Sequence, residues 1–575
     1  MAEVKGIPYG ISDFNRIRNS NFYFVDKTMY LPLIEKMPNY LFLIRPRRFG
    51  KSVFLSMMRT YYDILQRDNF EKYFGDLWIG SHPTERHNQY QVLYFDFSKA
   101  NLGNGTLQEN FNDYCNIQLA DFMRRYASFY PNEGMEKILD GTEAADKLHW
   151  LEATAQRLEY PLYLIIDEYD NFTNVILSEH GQKMFRNLTH ASGFYREYFK
   201  QFKGMFDRIF MMGVSPITLD DLSSGYNIDW NISTDERFNA MMGFDETEVR
   251  QMFGYYQENG LLTGNINEML TEMKPWYNNY CFARMSLNDA RVFNCDMTLY
   301  YLRNQLDFHR APDEMVDKNI RTDYSKLKML ARVDHDSTRE GSRMSTIEEI
   351  VAKGEILVDL HTSFPSEKIA DIDNFRSLLY YYGLLTMCGT RGNRLRMCIP
   401  NNCVREQYFG FLRDYYQQAY QLDLSRLKDL IDDFAYDGRW KSFFECIAHA
   451  YRENSSVRDA MEGERNLQGF LKAYLSLASY YLVEPELEMN YGYCDFFLLP
   501  DRQRYPDIAH SYILELKYAP RAATDAELAM QAEEGRWQLL QYSEDRAARR
   551  LAEGTKLHRL LLQFRGWDMV RCEEV

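Results

Sequence analysis

A short apolar run followed by a turn ending in glycine, lysine and serine is the feature that most restricts how this chain can fold. Tyr40–Ile44 has the length of a buried strand, and the periodicity that follows predicts a helix from Lys51 to about Leu65. The segment RPRRFGKS, residues 45–52, joins the two. Such a loop directs backbone N–H groups and the positive end of a helix dipole toward one point, which favours phosphate binding. The pattern therefore predicts an α/β domain built around a phosphate-binding loop.

Each residue of this loop has a predicted part in holding a nucleotide. Gly50 lets the backbone approach the phosphates, Lys51 reaches the outer phosphates, and the Ser52 hydroxyl is a magnesium ligand. The usual pattern has glycine at the first loop position, where this sequence has arginine. The predicted nucleotide contacts are Arg45, Pro46, Arg47, Arg48, Phe49, Gly50, Lys51 and Ser52.

Later apolar runs end in polar residues that fit the same site. In LIIDEYD, Asp167 would hold magnesium and Glu168 would polarise the attacking water. A strand end with a solvated acidic turn is the alternative, and the pairing with GKS favours catalysis. Ser215 follows another apolar run, where it could sense the outer phosphate, whereas Asp96 is better explained as a plain strand-end carboxylate. Apolar strands spaced by helices indicate a parallel sheet covered on both faces.

The central region is predicted to be mainly helical. Residues 375–401 read as a helix followed by a two-stranded hairpin, which resembles a winged-helix element. DNA contact and a lid or spacer are equally open for this element. The stretch 313–354 is polar and charged, and it is expected to contain an exposed connection.

Carboxylates and a lysine occupy two predicted strands near the C terminus. Residues 491–501 and 511–519 form a predicted hairpin, in which Glu515 and Lys517 share one face because they are two positions apart. Asp495 on the neighbouring strand would complete a pair of carboxylates for a divalent cation, with the ammonium beside its water. Phosphodiester hydrolysis needs this set, and hard oxygen ligands suit Mg²⁺ or Mn²⁺. A solvent-facing ion pair at a sheet edge is the alternative.

Bulk properties exclude several classes of protein. Nine scattered cysteines without metal-site spacing fit a reducing compartment, so the predicted location is the cytoplasm. The apolar runs are too short to span a membrane, and no membrane partner is expected. A net charge of −16 argues against coating nucleic acid over the whole surface, yet allows a local basic groove. The length of 575 residues predicts several domains, which we place at 1–245, 246–430 and 431–575.

Five segments together carry a resemblance to one bacterial family. GIPYGISDFNRIR, FVDKT, RPRRFGKS, LIIDEYD and GVSPITLDDLSSGYN are similar to AAA-ATPase-like proteins, which often end in a PD-(D/E)XK-type nuclease domain. The resemblance covers nearly the whole chain, and it implies that ATP is the cofactor. It further implies that a residue other than glycine is accepted at the first loop position, where this sequence has Arg45. It also implies that Glu464 is a helical metal ligand and that Gln538 and Tyr542 lie near the nuclease site.

The expected fold class is α/β throughout. It comprises an N-terminal P-loop NTPase with a parallel sheet, a central helical lid with a winged-helix-like region, and a C-terminal restriction-endonuclease-like domain. The expected function is ATP binding and hydrolysis that gates an Mg²⁺-dependent nuclease, with DNA favoured over RNA, and with a role in defence or mobile-element control only by analogy. Two alternatives stay open: a signalling switch that forms homo-oligomers with ATP, and a nucleic-acid-binding protein with an inactive nuclease-like domain. Spacing does not mark an arginine finger among Arg47, Arg48, Arg208 and Arg237.

Overall fold

The computed structural model divides the chain into two compact units. Unit 1 is Met1–Asp317 with Leu357–Asn401, and unit 2 is Lys318–Ile356 with Asn402–Val575. The structure describes residues 3–100, 105–139, 143–171, 194–202, 204–217, 230–289, 291–317, 343–365, 368, 371–420, 424–453, 464–475, 480–489, 492–500, 505 and 507–575. The domain limits at residues 245 and 430 stay predictions.

Five parallel strands form the main sheet of unit 1, in the order β2-β3-β4-β1-β5. They are β1 Tyr40–Ile44, β2 Gln91–Asp96, β3 Leu162–Asp167, β4 Arg208–Gly213 and β5 Trp230–Asn231. All residues of β3 and β4 are buried, as expected for a sheet covered on both faces. Because the carboxyl ends of parallel strands meet at one edge of the sheet, the loop after β1 and the acidic residues at the end of β3 share that edge. The predicted parallel sheet is confirmed.

Helices connect the strands of this sheet, and more helices follow β5 in the sequence. The helices of unit 1 are Phe14–Asn19, Leu31–Glu35, Lys51–Tyr62, Phe70–Phe74, Trp78–Ser81, Leu107–Arg125, Met135–Leu139, Ala144–Leu158, Phe194–Phe202, Glu246–Glu258, Ile266–Tyr277, Cys295–Phe308 and Ile372–Tyr381. The helix after the phosphate loop ends before the predicted Leu65, because the Asp63 carboxylate accepts the Leu65 N–H and begins a 3-10 turn. No helix in the described ranges is both long and apolar enough to cross a membrane.

A small sheet in the order β6-β8-β7 accompanies the helix Ile372–Tyr381. Its strands are β6 Glu355–Val358, β7 Thr386–Arg391 and β8 Arg394–Cys398, and the predicted helix followed by a hairpin is confirmed. An exposed connection within 313–354 stays a prediction, and the last part of that stretch is helical. Residues Arg343–Lys353 form a helix, since Ile347, Ile350 and Val351 repeat at helical spacing and are buried. Residues 318–342 of that stretch lie outside the described residues.

Unit 2 contains a mixed five-stranded sheet in the order β13-β12-β11-β10-β9. The strands are β9 Tyr481–Met489, β10 Gly492–Pro500, β11 His510–Ala519, β12 Lys556–Arg565 and β13 Asp568–Glu574, and only β11 and β12 pair in parallel among them. Its helices are Arg343–Lys353, Asn402–Tyr420, Leu424–Tyr436, Trp440–Glu453, Glu464–Leu475, Asp525–Glu544 and Arg546–Leu551. The predicted hairpin of β10 and β11 is confirmed, and so is the α/β fold class.

The helix Asp525–Glu544 packs on this sheet. Ala532, Leu539 and Tyr542 join a buried cluster with Phe497, Ile513 and Leu561. A second helix, Arg546–Leu551, follows it directly. The break falls at Asp545, whose extended backbone ends the first helix and whose carboxylate accepts the Ala548 N–H of the second at 3.3 Å.

Candidate functional site

The loop between β1 and its helix is held by two left-handed residues. Arg48 has φ 67° and Gly50 has φ 85°, and Gly50 directly precedes the first helical residue, Lys51. Glycine adopts this conformation without the steric cost that a side chain adds. The backbone thus turns sharply where a phosphate would approach the helix N terminus.

Arg45 anchors the loop from inside the domain. Its side chain is almost fully buried, and the guanidinium donates hydrogen bonds to the carbonyl oxygens of Ile44, Ser233 and Phe238 at 2.9, 2.6 and 2.9 Å. It also lies 4.3 Å from the ring centroid of Phe282. Burial lowers the pKa of Arg45 to about 10. The side chain is therefore committed to the fold, and the predicted nucleotide contact would have to be made by the rest of the loop.

The other loop side chains divide into buried and outward-facing groups. Pro46 and Phe49 are buried, and the Phe49 ring packs edge-on against Tyr280 at 4.8 Å between centroids. Arg47 is exposed, and Arg48 forms an ion pair with Asp296 at 3.3 Å. Arg47 and the half-buried Arg48 are therefore the charged side chains in the first part of the loop that are not fully buried.

Lys51 and Ser52 stand where the sequence pattern predicts. The buried Lys51 ammonium donates to the carbonyl oxygens of Arg45 at 3.3 Å and Pro46 at 3.0 Å. The Ser52 hydroxyl donates to Asp167 Oδ2 at 2.7 Å, so both predicted magnesium ligands meet. A phosphate would offer the ammonium a charged partner in place of neutral carbonyls.

Asp167 has the properties of a ligand for a cation. It is buried, and this burial raises its pKa to about 6. The Tyr94 hydroxyl donates to Oδ2 at 3.3 Å, whereas Oδ1 is buried and accepts no hydrogen bond within the described part of the chain. A buried carboxylate oxygen without a donor is costly unless a cation approaches it, so the residues present fit magnesium. Glu168 follows with φ 52° and is half-buried.

Ser215 follows β4 as predicted, but its side chain is used within the fold. The residue is completely buried, and its hydroxyl oxygen accepts the Ile217 N–H at 3.3 Å. The Ser215 N–H donates to Asp170 at 2.7 Å. Asp170, which the sequence analysis did not single out, also accepts the Val214 N–H at 3.1 Å and thereby ties the end of β3 to the end of β4. A contact of Ser215 with the outer phosphate stays a prediction.

An apolar cavity of about 100 Å³ adjoins the phosphate loop. Gly50 and Val53 line it together with residues distant in sequence, including Ile11, Phe24, Met241 and Leu299. Lys27 is a polar residue in its wall, and its ammonium donates to the Ala240 carbonyl at 2.8 Å and pairs with Glu248 at 2.6 Å. The cavity could not be predicted from a local sequence motif, because residues from four separate segments line it.

In unit 2, Asp495 lies where β10 and β11 part. The pairing of these strands runs from Leu498↔Tyr512 to Phe496↔Leu514 and stops next to Asp495. Asp495 Oδ2 accepts the Leu516 N–H at 2.7 Å, and Oδ1 accepts the side-chain amide of Gln468 at 3.0 Å. The Asp495 carboxylate thus accepts the Leu516 N–H at the point where the two strands are no longer paired.

Glu515, Lys517 and Gln538 form a connected set beside it. Lys517 Nζ is 3.1 Å from Glu515 Oε1 and donates to Gln538 Oε1 at 2.6 Å. The predicted shared face of β11 is therefore confirmed, and it points at the helix Asp525–Glu544. Gly535 of that helix leaves room for the lysine, because a Cβ there would lie 3.4 Å from Lys517 Cε and 2.7 Å from Leu561 Cδ1.

Burial makes the charged forms of both carboxylates unfavourable. Desolvation raises the pKa of Asp495 and that of Glu515, their mutual repulsion raises the pKa of Glu515 further, and Lys517 opposes both shifts. Glu515 Oε2 is buried without a hydrogen-bond partner among the described residues. A cation would satisfy that oxygen and remove the repulsion, so the pair fits a divalent metal.

Glu464 and Tyr542 lie near this pair. The charge of Glu464 contributes to the raised pKa values of Asp495 and Glu515, although Glu464 itself is exposed. Burial and the charge of Glu515 raise the pKa of Tyr542. Within the described ranges, no three His, Cys, Asp or Glu side chains are grouped to hold a metal. The structure thus shows a carboxylate pair, and Glu464 as third ligand stays a prediction.

Two family models match the chain. One described as a predicted AAA-ATPase matches residues 8–223, and one described as the PD-(D/E)XK nuclease superfamily matches residues 462–574. The first span contains the phosphate loop and β1 to β4, and the second contains Asp495, Glu515 and Lys517. The architecture recognised from the sequence motifs is confirmed.

Three individual proteins are also similar to this chain, but they say less about it than the family models do. An uncharacterized protein in the vnfD 5' region of Azotobacter chroococcum mcd 1 is 27% identical over 286 residues, which are 48% of this chain and 48% of that protein. The match therefore spans about half the length of that curated relative. The ORC1 protein of Aeropyrum pernix in complex with DNA is 9% identical with a TM-score of 0.24, covering 71% of this chain and 93% of its own. The ORC2 protein of the same organism, with ADPNP and ADP, is 11% identical with a TM-score of 0.31, covering 68% and 92%. Scores this low carry no argument.

Proposed function

We propose that this chain is an ATP-binding and ATP-hydrolysing protein whose nucleotide state gates a metal-dependent nuclease acting on nucleic acid, with DNA favoured over RNA. The observation that carries the nuclease half is the Glu515–Lys517 ion pair on β11 with Asp495 beside it, where one buried oxygen of Glu515 lacks a donor among the described residues. A bacterial, cytoplasmic setting and a role in defence or mobile-element control belong to the same proposal.

In unit 1 the phosphate loop binds ATP with magnesium. Lys51 exchanges its bonds to loop carbonyls for the outer phosphates, while Ser52 and Asp167 hold the cation. The cation neutralises charge that develops on the phosphates. Glu168 follows Asp167 at the same sheet edge and orients the attacking water as general base.

The apolar cavity beside Gly50 and Val53 receives the base of the nucleotide. It adjoins the loop that binds the phosphates, and its apolar walls suit the faces of a purine ring. Lys27 supplies one of the few polar groups there, although its ammonium is already paired with Glu248.

In unit 2, Asp495 and Glu515 hold Mg²⁺ or Mn²⁺, with Glu464 as the proposed third ligand. The cation lowers the pKa of water and stabilises charge on the phosphate. The Lys517 ammonium stabilises the phosphate oxygens in the transition state, and Gln538 positions it through the 2.6 Å hydrogen bond.

Cleavage by the full-length chain tests this proposal. Supercoiled plasmid and a structured RNA are incubated with Mg²⁺ or Mn²⁺, with and without ATP, using wild type, Lys517→Ala and the control Lys556→Ala, an exposed lysine on β12. We expect ATP-dependent cleavage that falls at least about 100-fold in Lys517→Ala and is unchanged in the control.

Intact nucleic acid under all conditions, or equal cleavage by Lys517→Ala, would overturn the nuclease assignment. Binding without cleavage would leave a nucleic-acid-binding protein. The remaining alternative is a signalling switch that forms oligomers with ATP. Measuring the size of the protein with and without ATP tests it, because ATP-dependent assembly without affinity for nucleic acid would favour the switch over the nuclease.

A further inference from the structure

The hairpin of β7 and β8, residues 386–398, concentrates positive charge on an acidic protein. Its sequence TMCGTRGNRLRMC contains three arginines and no acidic residue, whereas the whole chain has a net charge of −16. We call these residues the basic hairpin. Local positive charge on an otherwise negative surface indicates an anionic partner for that place alone.

The arginines of the basic hairpin differ in how the fold uses them. Arg391 and Arg396 are exposed, and the Arg391 side chain makes no hydrogen bond or ion pair with any residue that the structure describes. Arg394 is half-exposed and pairs with Asp359 at 3.1 Å. The exposed Arg284 donates to the Gly392 carbonyl at 3.2 Å, which brings a fourth guanidinium to the tip.

The tip of the basic hairpin is narrow. Arg391 pairs with Arg394 across a two-residue turn, Gly392 and Asn393, both exposed. Gly392 has φ 61°, which such tight turns require. A two-stranded ribbon with a slim, charged end can follow the phosphates along a groove of a duplex.

The helix that precedes the hairpin is not free to read bases. None of the residues in Ile372–Tyr381 is exposed, and the Tyr380 hydroxyl donates to the Phe282 carbonyl at 2.9 Å. Base-specific contacts in a groove need an accessible helix face or strand. The helix is therefore packed within unit 1, and the hairpin is the part of this element that is accessible to a nucleic acid.

We infer that the basic hairpin binds the phosphate backbone of double-stranded nucleic acid without reading its sequence. Proteins that hold single strands stack bases on aromatic side chains, and residues 386–398 include none. The inference shares with the proposed function only the class of partner. It needs none of the residues assigned to cleavage.

Binding by the full chain in the presence of a chelator tests the inference, because cleavage is then prevented. Fluorescence anisotropy follows a labelled DNA duplex and the matching single strand at several salt concentrations. The variants are Arg391→Gln, the double change Arg391→Gln with Arg396→Gln, and the control Arg310→Gln, which alters another exposed arginine of unit 1.

We expect the double change to weaken duplex binding about tenfold or more and to reduce the slope of log affinity against log salt by about 2, since each phosphate contact contributes about 0.9. Arg391→Gln alone should give about half of that change in slope, and the control none. Unaltered duplex binding in the double variant, equal losses in the control, or a wild type that binds no duplex would each overturn the inference. An equal loss for the single strand would overturn the duplex assignment. Cleavage lost in Lys517→Ala with hairpin-dependent binding retained would separate this site from the nuclease.

Discussion

Ser52 Oγ donates a 2.7 Å hydrogen bond to Asp167 Oδ2, which joins the first turn of the helix after the phosphate loop to the end of β3. The two residues are 115 positions apart in sequence, and β4 lies between their strands in the sheet. Ser52 and Asp167 would hold a magnesium ion through the oxygen lone pairs of the hydroxyl and the carboxylate, in place of this hydrogen bond. The hydroxyl and the carboxylate are therefore already positioned for a shared ligand.

The magnesium dependence of nucleotide binding should change with pH. Burial raises the pKa of Asp167 to about 6, and a protonated carboxyl is a poor metal ligand. We expect Mg²⁺ to strengthen nucleotide binding little below about pH 6, and increasingly as pH rises through that value. Calorimetric titration with ADP, with and without Mg²⁺, measures this. Asp167→Asn is the comparison, and a Mg²⁺ effect with the same pH profile in that variant would contradict the assignment.

Changes at Lys51 and Glu168 should separate binding from hydrolysis. Lys51→Ala removes the ammonium that we propose contacts the phosphates, so affinity for ATP should fall at least about tenfold. Glu168→Gln keeps the shape of the side chain but removes the proposed general base, and we expect near-normal binding with hydrolysis reduced about 100-fold. Fluorescent-nucleotide binding and phosphate release report the two steps. Equal losses of binding in both variants would show that Glu168 is not the base.

Installing the glycine of the usual loop pattern should destabilise the protein. Arg45→Gly leaves buried carbonyl oxygens of Ser233 and Phe238 without their donor and opens a cavity, which costs about 3 kcal/mol. Arg47→Gly changes an exposed neighbour and should have a much smaller effect. Thermal unfolding of the full chain compares the two. A stable Arg45→Gly protein would show that the interior bonds contribute little.

Two helical glycines should respond differently to replacement by alanine. At Gly254 a Cβ would meet no atom within 4 Å, so Gly254→Ala should stabilise its helix by about 0.5–1 kcal/mol. At Gly535 the Cβ would crowd Leu561 and the stem of Lys517. We expect Gly535→Ala to gain no stability and to lose about tenfold in cleavage rate, because the ammonium is displaced. Unchanged cleavage by Gly535→Ala would mean that the lysine tolerates this shift.

The metal-free protein should lose stability as pH rises, and Glu515 should be one cause. Burial raises its pKa in the folded state, so the unfolded chain releases this proton at lower pH than the native one. The stability linked to Glu515 is complete below the unfolded pKa and declines as pH rises toward the folded pKa. Glu515→Gln should show a flatter dependence in chelator, measured by thermal unfolding across pH. Parallel curves would contradict the buried, protonated state.

Local chemistry explains which parts of the sites were predictable. Lys51 and Ser52 begin the helix after β1, Asp167 ends β3, and Glu515 and Lys517 share a face because of strand geometry. Arg45 and Ser215 occupy the predicted backbone positions, but long-range carbonyl and carboxylate partners draw their polar groups into the fold. The cavity beside Gly50 depends on segments more than 200 residues apart, as its lining residues Ile11 and Leu299 illustrate. The periodicity of apolar residues along the sequence does not predict contacts between such distant segments.

The anchoring of Arg45 bears on the energetics of ligand capture. A loop rich in glycine samples many backbone conformations and must be ordered when phosphate binds. Here the first loop residue is fixed by three guanidinium hydrogen bonds and by its own N–H, which donates to the Gly213 carbonyl at 3.1 Å. Less conformational entropy is then lost on association, so preorganisation favours tight binding from few direct contacts.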